Sequence, residues 1–502
     1  MKNTKILKVL SLAMATTMSA SMLAACDFMG GGGASSGNTV LTVKYYDGAY
    51  GKEWLEEAAK DFVAEKKAAG TEMSYRLIPD VNVNTSAVNE LNSGSGLSDI
   101  YMVQKYTWTD WVTSGKLEDL SSVYNTEVTT SKGQQKIKDY MADGYSMQYY
   151  AQRQAGNGDY LPWAMPWSMS QIGFVYNENI LEEITGSKKA PETVAEMLDY
   201  CAKLNAAGIT PFAFPGNESH WFRYIIQVWW AQYQGAYEEN TLNVAEGDGS
   251  FYDYWNMTDV NVLNQKGIQV GIDTMQSLFV DLGTKSWKNS LENVNSYYVK
   301  DAEKAFVEGR AAMLLGASFM YGEVEKYMQD GVVYKMMNMP TIENAAKNAD
   351  GTTMNMNYYT SEDFMIVPKN ATNKDLAKEF LAYLCNEKYL LDFTKKTGTL
   401  RPFKYDDSVL DANALGLNTF NASVLEVYKN SDVRLVSLPA NVTNPQNRSL
   451  ISLYKDMQLN GSVDWASFAK LLREKDSASI MNEVFNATKS EFEDWKTALG
   501  VK

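Results

Sequence analysis

From Thr39 onward, strand-like and helix-like stretches alternate along the chain, the pattern of an α/β protein. Thr39 to Tyr46 is β-branched and aromatic, as a strand requires. Lys52 to Lys67 then sets Leu55, Ala58, Ala59, Phe62 and Val63 on one face, which predicts an amphipathic helix packed on a sheet. Glu72 to Ile78, Asp99 to Val103 and Gly173 to Asn177 read as further strands. Thr193 to Asn205 reads as a helix with Val194, Met197, Leu198 and Cys201 aligned, and Ala302, Ala305, Phe306 and Gly309 mark another helix face. Lys374 to Leu391 reads as one helix burying Ala377, Phe380, Leu381 and Leu384. Between the first strand and the first helix lies the turn Asp47-Gly48-Ala49-Tyr50-Gly51. In open α/β sheets that edge is where ligands bind.

The segment ahead of this pattern is of another kind. Lys2, Lys5 and Lys8 form a basic start, and an uncharged run rich in Leu, Met and Ala follows from Val9 to Ala25. That layout is a secretory signal peptide over residues 1–25, too short for a transmembrane span. It ends Leu23-Ala24-Ala25-Cys26, which resembles the lipobox of bacterial lipoproteins. The resemblance implies cleavage before Cys26, lipidation of its thiol (palmitate being one such acyl group) and anchoring outside the cell membrane. An ordinary cleaved signal with a chance cysteine is the alternative. Residues 26–38 include Gly30 to Gly33 and Ala34-Ser35-Ser36-Gly37, with almost no side chain to bury, and read as a flexible tether.

About 460 residues remain, too many for one core and suited to two domains. Later apolar runs are short, so no second membrane segment is expected. The net charge of −15 argues against nucleic acid and against a basic membrane-binding face. Besides Cys26 there are only Cys201 and Cys385, each inside a helical pattern and each read as a buried small hydrophobe.

The inventory for catalysis is thin. His220 is the sole histidine, so any nucleophilic triad depends on it, and no Gly-x-Ser-x-Gly elbow occurs. It stands beside Trp221, where packing competes with a role as base. No Cys/His set has zinc spacing, and neither metal nor cofactor is expected. Asp80 to Asn84 resembles the start of a calcium loop, but Leu91 stands at the acidic twelfth place. Gly115-Lys116 has Asp110 where a phosphate loop needs glycine. Paired carboxylates for glycoside hydrolysis remain open, since 61 acidic residues carry no spatial information in sequence.

Several segments resemble the bacterial extracellular solute-binding proteins of sugar importers, the group that includes maltose-binding protein. Ala305 to Met313, followed by Gly316-Ala317-Ser318, is similar to the Phe-x-x-Gly-x-Ala-Ala-Met signature. Phe174-Val175-Tyr176-Asn177 resembles the strand after the first crossover, and Pro191-Glu192-Thr193 with Glu196 the helix start after it. Leu97-Ser98-Asp99-Ile100 resembles a strand entry, with Ser98 in place of the usual proline. Gly115 to Leu120, Asn373 to Leu381 and Gly398 to Pro402 resemble later segments, in the family's order.

The resemblance implies a two-lobe, class II periplasmic-binding-protein-like fold with ligand held between lobes joined by crossover strands. One lobe would take residues 39–168 and 361–405, the other 169–360 and 406–502. It further implies a monomeric, non-enzymatic binder that hands a carbohydrate to the permease subunits of an ABC importer. A peptide or other polar solute is the alternative, and a secreted glycoside hydrolase a third.

A sugar needs polar groups for its hydroxyls and an aromatic platform for its ring face. At the expected cleft edges stand Asp47, Tyr50, Lys105, Tyr106 and Trp108, with Gly51 letting the helix N-terminus come close. Trp163, Trp167 and Ser168 occupy the first crossover, and Trp221, Ser318 and Phe319 follow in the second lobe. Tyr358, Tyr359, Glu362 and Asp363 flank the next crossover, and Arg401 lies in a late loop. For the crossover tryptophans, hinge packing competes with ligand contact. For Asp47 and Asp363, helix capping is the other role. Asp99 is read as shaping the strand entry, and Trp54, Trp229, Trp230, Trp255 and Trp495 as packing.

Overall fold

The computed structural model of the protein describes residues 39–104, 108–145, 151–153, 160–218, 220–237, 249–256, 260–360, 363–436, 465–489 and 492. The signal segment, Cys26 and nearly all of the tether lie outside these residues, as do Lys105, Tyr106, Glu362 and Trp495, and the side chains of His220 and Trp255.

The first strands are β1 (Thr39–Tyr45), β2 (Met73–Pro79) and β3 (Ile100–Gln104). Two short hairpins follow: β4 (Glu127–Thr130) with β5 (Gly133–Lys136), and β6 (Ala151–Arg153) with β7 (Tyr160–Pro162). Next come β8 (Met165–Pro166), β9 (Gln171–Asn177), β10 (Phe212–Ala213), β11 (Met313–Ala317) and β12 (Tyr334–Met336). The last are β13 (Met356–Tyr359), β14 (Asp363–Ile366) and β15 (Val433–Val436).

One sheet runs β2-β1-β3-β14-β8, the other β10-β11-β9-β13-β15 with β12 paired on β9. In the first, β1 and β3 are parallel, Val43 opposite Ile100, while β14 is antiparallel to β3 and β8. In the second, β9 is antiparallel to β11 and β13, Phe174 facing Leu315 and Ile172 facing Tyr358. All seven residues of β9 are buried, as expected of a strand covered on both faces. The chain passes from the first sheet to the second between Pro166 and Gln171, and back between Tyr359 and Asp363. It re-enters the second at β15. This is a two-lobe α/β fold.

Each sheet carries its own core. Leu41, Val43, Ile100 and Phe364 pack with Phe62 and Phe380 around the first. Phe174, Phe212, Trp229 and Phe279 pack around the second. The helix Glu53–Ala68 buries Leu55, Ala58, Ala59 and Phe62, as its spacing predicts. Val194–Ala206 starts from a capping box in which the Thr193 hydroxyl accepts from the Glu196 amide. Asp99 does shape the strand entry: its carboxylate accepts from the Thr42 amide and hydroxyl, both at 2.8 Å, and from the Asn373 amide at 2.8 Å. Cys201 and Cys385 are both buried and unbridged.

The stretch expected as one helix from Lys374 to Leu391 is two, Lys374–Tyr383 and Glu387–Thr397. The break is at Asn386. Its amide side chain donates to the Tyr383 carbonyl at 2.8 Å and accepts from the Thr129 amide at 2.9 Å, tying the corner to the β4 hairpin. A side chain that satisfies backbone groups outside the helix ladder ends the helix.

Candidate functional site

Where the two sheets meet, a cavity of about 410 Å3 opens between them. The first sheet supplies Tyr46 after β1, Gln104 at the end of β3 and Asp363 at the start of β14. The second sheet's side supplies Ser170, Trp221, Tyr224, Tyr298 and Phe319, with the charged groups Glu218, Lys300 and Glu323. Tyr50 bridges the two. Its hydroxyl hydrogen-bonds Ser170 Oγ and its ring meets Phe319 edge-on at 5.9 Å. Trp221 in turn meets Phe319 edge-on at 6.4 Å and Tyr224 at 6.1 Å. A larger hollow of about 840 Å3, lined by Tyr176, Lys335 and Glu426 among others, draws on the second lobe alone.

Gly51 has φ +60, a left-handed turn that closes with its amide on the Gly48 carbonyl at 3.0 Å and aims Tyr50 at the second lobe. Ala49, from the same turn, touches the helix Met320–Val324: a Cβ on Gly322 would fall 2.3 Å from the Ala49 carbonyl oxygen. The two lobes meet there without a side chain between them.

The polar groups are held in place. Asp363 accepts from Ser168 Oγ and, at 3.5 Å, from Gln104 Nε2. Glu218 accepts from the Val299 amide at 3.3 Å, at the start of the helix Val299–Val307. Burial, and after it the Asp363 carboxylate, raises the Tyr50 phenol above its ordinary pKa, so Tyr50 stays a neutral donor. Burial and Glu323 do the same for Tyr46.

Of the residues singled out in the sequence, Tyr50, Trp221, Phe319 and Asp363 line this cavity. Trp167 is not in the lining. It is buried behind Tyr50, 5.2 Å from that ring, stacked on Trp54 at 5.7 Å and edge-on to Phe393, and its indole nitrogen has no partner among the described residues. Ser168 acts through Asp363, and Tyr358 through Tyr224, on which it stacks at 4.7 Å. Ser318 is buried between the Gln171 amide and Thr399 Oγ1. Tyr359 packs on Tyr428.

Four further candidates also lie away from the cavity in this structure. Trp108 and Trp163 are buried in the first core, because a tryptophan beside a strand end faces the core as readily as the cleft. Arg401 is fully buried, donating to the carbonyls of Trp167 and Leu384, and its guanidinium lies 5.9 Å from the Trp54 ring, so it fastens the late loop. Asp47 is exposed, lines no part of the cavity and caps no helix; Asp363 caps none either.

Sequence reasoning missed Tyr46, Gln104, Ser170, Glu218, Tyr224, Tyr298, Lys300 and Glu323. Tyr46 and Gln104 carried a usable signal, since each stands at the carboxyl end of a strand. The others come together only through tertiary folding. Among the described residues, no group of three or more His, Cys, Asp and Glu side chains is placed to hold a metal ion, and no helix is long and apolar enough to cross a membrane.

The fold and the interlobe cavity define a solute-binding protein. Residues 47–390, more than half of the chain, match the family model of the bacterial extracellular solute-binding proteins, and the chain belongs to that family. It is 21% identical over 397 residues to a protein named as a binding protein in Brucella abortus (strain 2308), covering 78% of this chain and 82% of that one. Among solved structures it is similar to RafE in complex with raffinose, at 16% identity and TM-score 0.58, covering 91% of this chain and 99% of RafE. The GacH receptor of Streptomyces glaucescens, solved unliganded and with acarbose, is 14% identical with TM-score 0.58, over 91% and 99% of the two chains. A protein described as a probable secreted solute-binding lipoprotein from Streptomyces coelicolor is 14% identical with TM-score 0.60, over 90% and 99%.

Proposed function

We propose that this chain is the extracellular substrate-binding component of an ABC importer, taking a carbohydrate, an oligosaccharide by preference, between its lobes and releasing it to the permease. The observation that carries the reading is the cavity wall. Rings of Tyr46, Tyr50, Trp221, Tyr224 and Phe319 surround a space bordered by carboxylates, an amide and a lysine. Apolar ring faces with a few convergent polar groups are what a pyranose needs. The similarity to proteins solved with raffinose and acarbose supports the same reading.

The ligand-contacting set is Tyr46, Tyr50, Gln104, Trp221, Tyr224, Phe319 and Asp363, positioned from behind by Trp167, Ser168 and Tyr358. The lobes comprise residues 39–168 with 361–405, and 169–360 with 406–502; the strand crossings between Pro166 and Gln171 and between Tyr359 and Asp363 support the first two boundaries. The protein acts as a monomer, carries out no reaction, and is held at the outer face of the cell membrane through lipid on Cys26. Cys26→Ser would then release it into the soluble fraction with its ligand affinity unaltered.

A panel of oligosaccharides tests the function. A ligand recovered unchanged that raises the melting temperature is the expected result, since ligand binding the native state alone stabilises it. Hydrolysis products, or stabilisation by peptides and by no sugar, would overturn it.

A further inference from the structure

The aromatic wall of the cavity is graded by exposure. Trp221 and Tyr224 are buried, Tyr46 and Phe319 are half-buried, and Tyr298 is 56% exposed while lining the same space. A lining ring with most of its surface in solvent marks the mouth. The local backbone puts it there. Tyr297 and Val299 both pack against second-lobe core, and the chain is extended at Tyr298 (φ −79, ψ 170), so the side chain between them turns the other way. The main chain is also pinned. The Tyr298 carbonyl accepts from the Asp301 and Ala302 amides, both at 3.1 Å, and its own amide donates to the Asp301 carboxylate at 3.2 Å. The next amide, that of Val299, is the one held by Glu218. The helix Val299–Val307 is rooted in the lobe by Ala302, Ala305, Phe306 and the buried Glu303. Single exposed aromatics are ordinary on protein surfaces. This one is set apart by its fixed backbone and its place on the rim of an aromatic-lined cavity.

The cavity, at about 410 Å3, is near the lower end of the roughly 300–1,000 Å3 usual for ligand sites. A carbohydrate chain that outgrows it must leave through the mouth. We propose that Tyr298 reads chain length: it stacks on the sugar unit that emerges from the cavity, so the site favours oligosaccharides long enough to reach the rim over those held wholly inside. This rests on the carbohydrate reading and specifies the length class of its substrate. The inner units lie against Trp221, Tyr224 and Phe319 and do not depend on Tyr298. A tyrosine suits the rim, since its ring offers an apolar face, its hydroxyl stays wet, and ordering it costs little conformational entropy.

The test is calorimetric titration of the mature protein, and of Tyr298→Ala and Tyr298→Phe, with malto-, cello- and xylo-oligosaccharides from disaccharide to hexasaccharide. In the series that binds, wild-type affinity should step up by roughly three- to tenfold once the chain reaches the rim, the range of one aromatic contact, and then level off. Tyr298→Ala should remove that step and leave the shorter homologues unchanged, while Tyr298→Phe should keep it. Melting curves without ligand should coincide for all three proteins, because the ring belongs to no core. An equal loss at every length would make Tyr298 an ordinary wall residue, and no loss at any length a bystander. Either result overturns the proposal and leaves the carbohydrate reading standing. Binding of none of these sugars overturns both.

Discussion

Trp167, expected from the sequence as a ligand platform, is packed behind the cavity wall instead. It packs between Tyr50, Trp54 and Phe393 with 2% of its surface exposed. Trp167→Ala should therefore cost about 3–5 kcal/mol of stability without ligand, the range for truncating a buried aromatic. Denaturant unfolding measures this, and a loss below about 1 kcal/mol would contradict the packing role. Glu303 gives a second prediction at this scale. Its native pKa is raised above the unfolded value, so the native state retains a proton that the unfolded chain has lost. Its contribution is fully present below about pH 4.3 and is lost as pH rises through the native value. Glu303→Gln, which keeps the neutral shape, should gain on the wild type as pH rises. A melting-temperature difference that stays flat across that range would oppose it. Residue identity alone did not separate such roles. Arg401, Trp108 and Trp163 have side chains suited to sugars and stand in loops or beside strand ends, yet all three point into packed interior. Nothing in a linear sequence says which way a loop side chain turns.

At the level of elements, the periodic stretches were legible and their interruptions were not. The helices Glu53–Ala68 and Val194–Ala206 follow from apolar spacing, the second also from its capping box. The corner at Asn386 depends on a hydrogen bond to Thr129, far away in the chain, so no local rule could find it. The same holds for the site. Tyr50 and Asp363 follow from the rule that ligands sit at strand ends, whereas Glu218, Lys300 and Glu323 reach the cavity only because their helices dock there. The contact of Ala49 with Gly322 brings the first-lobe turn against the second-lobe helix Met320–Val324. Gly322→Val places methyl groups where the lobes meet, a clash worth about 1–3 kcal/mol against the lobe contact seen in this structure. Ligand affinity should fall by roughly tenfold or more while the unliganded melting temperature holds, and solution scattering should show a less compact liganded state than in wild type. Unchanged affinity would mean that the cleft works without this contact.

The whole molecule is two sheets with separate cores, joined by short crossings, and its aromatic cavity lies at the junction. Neither lobe alone encloses that space, so binding there depends on how the lobes meet. The central claim is that a sugar sits between the lobes, and a crystal structure of the protein with the best carbohydrate from the panel addresses it directly. The expected result is a sugar ring packed on Trp221 and Phe319 from the second lobe and within hydrogen-bond distance of Asp363 or Gln104 from the first. A sugar lodged in the second-lobe hollow beside Lys335 and Glu426, with the interlobe cavity empty, would contradict it.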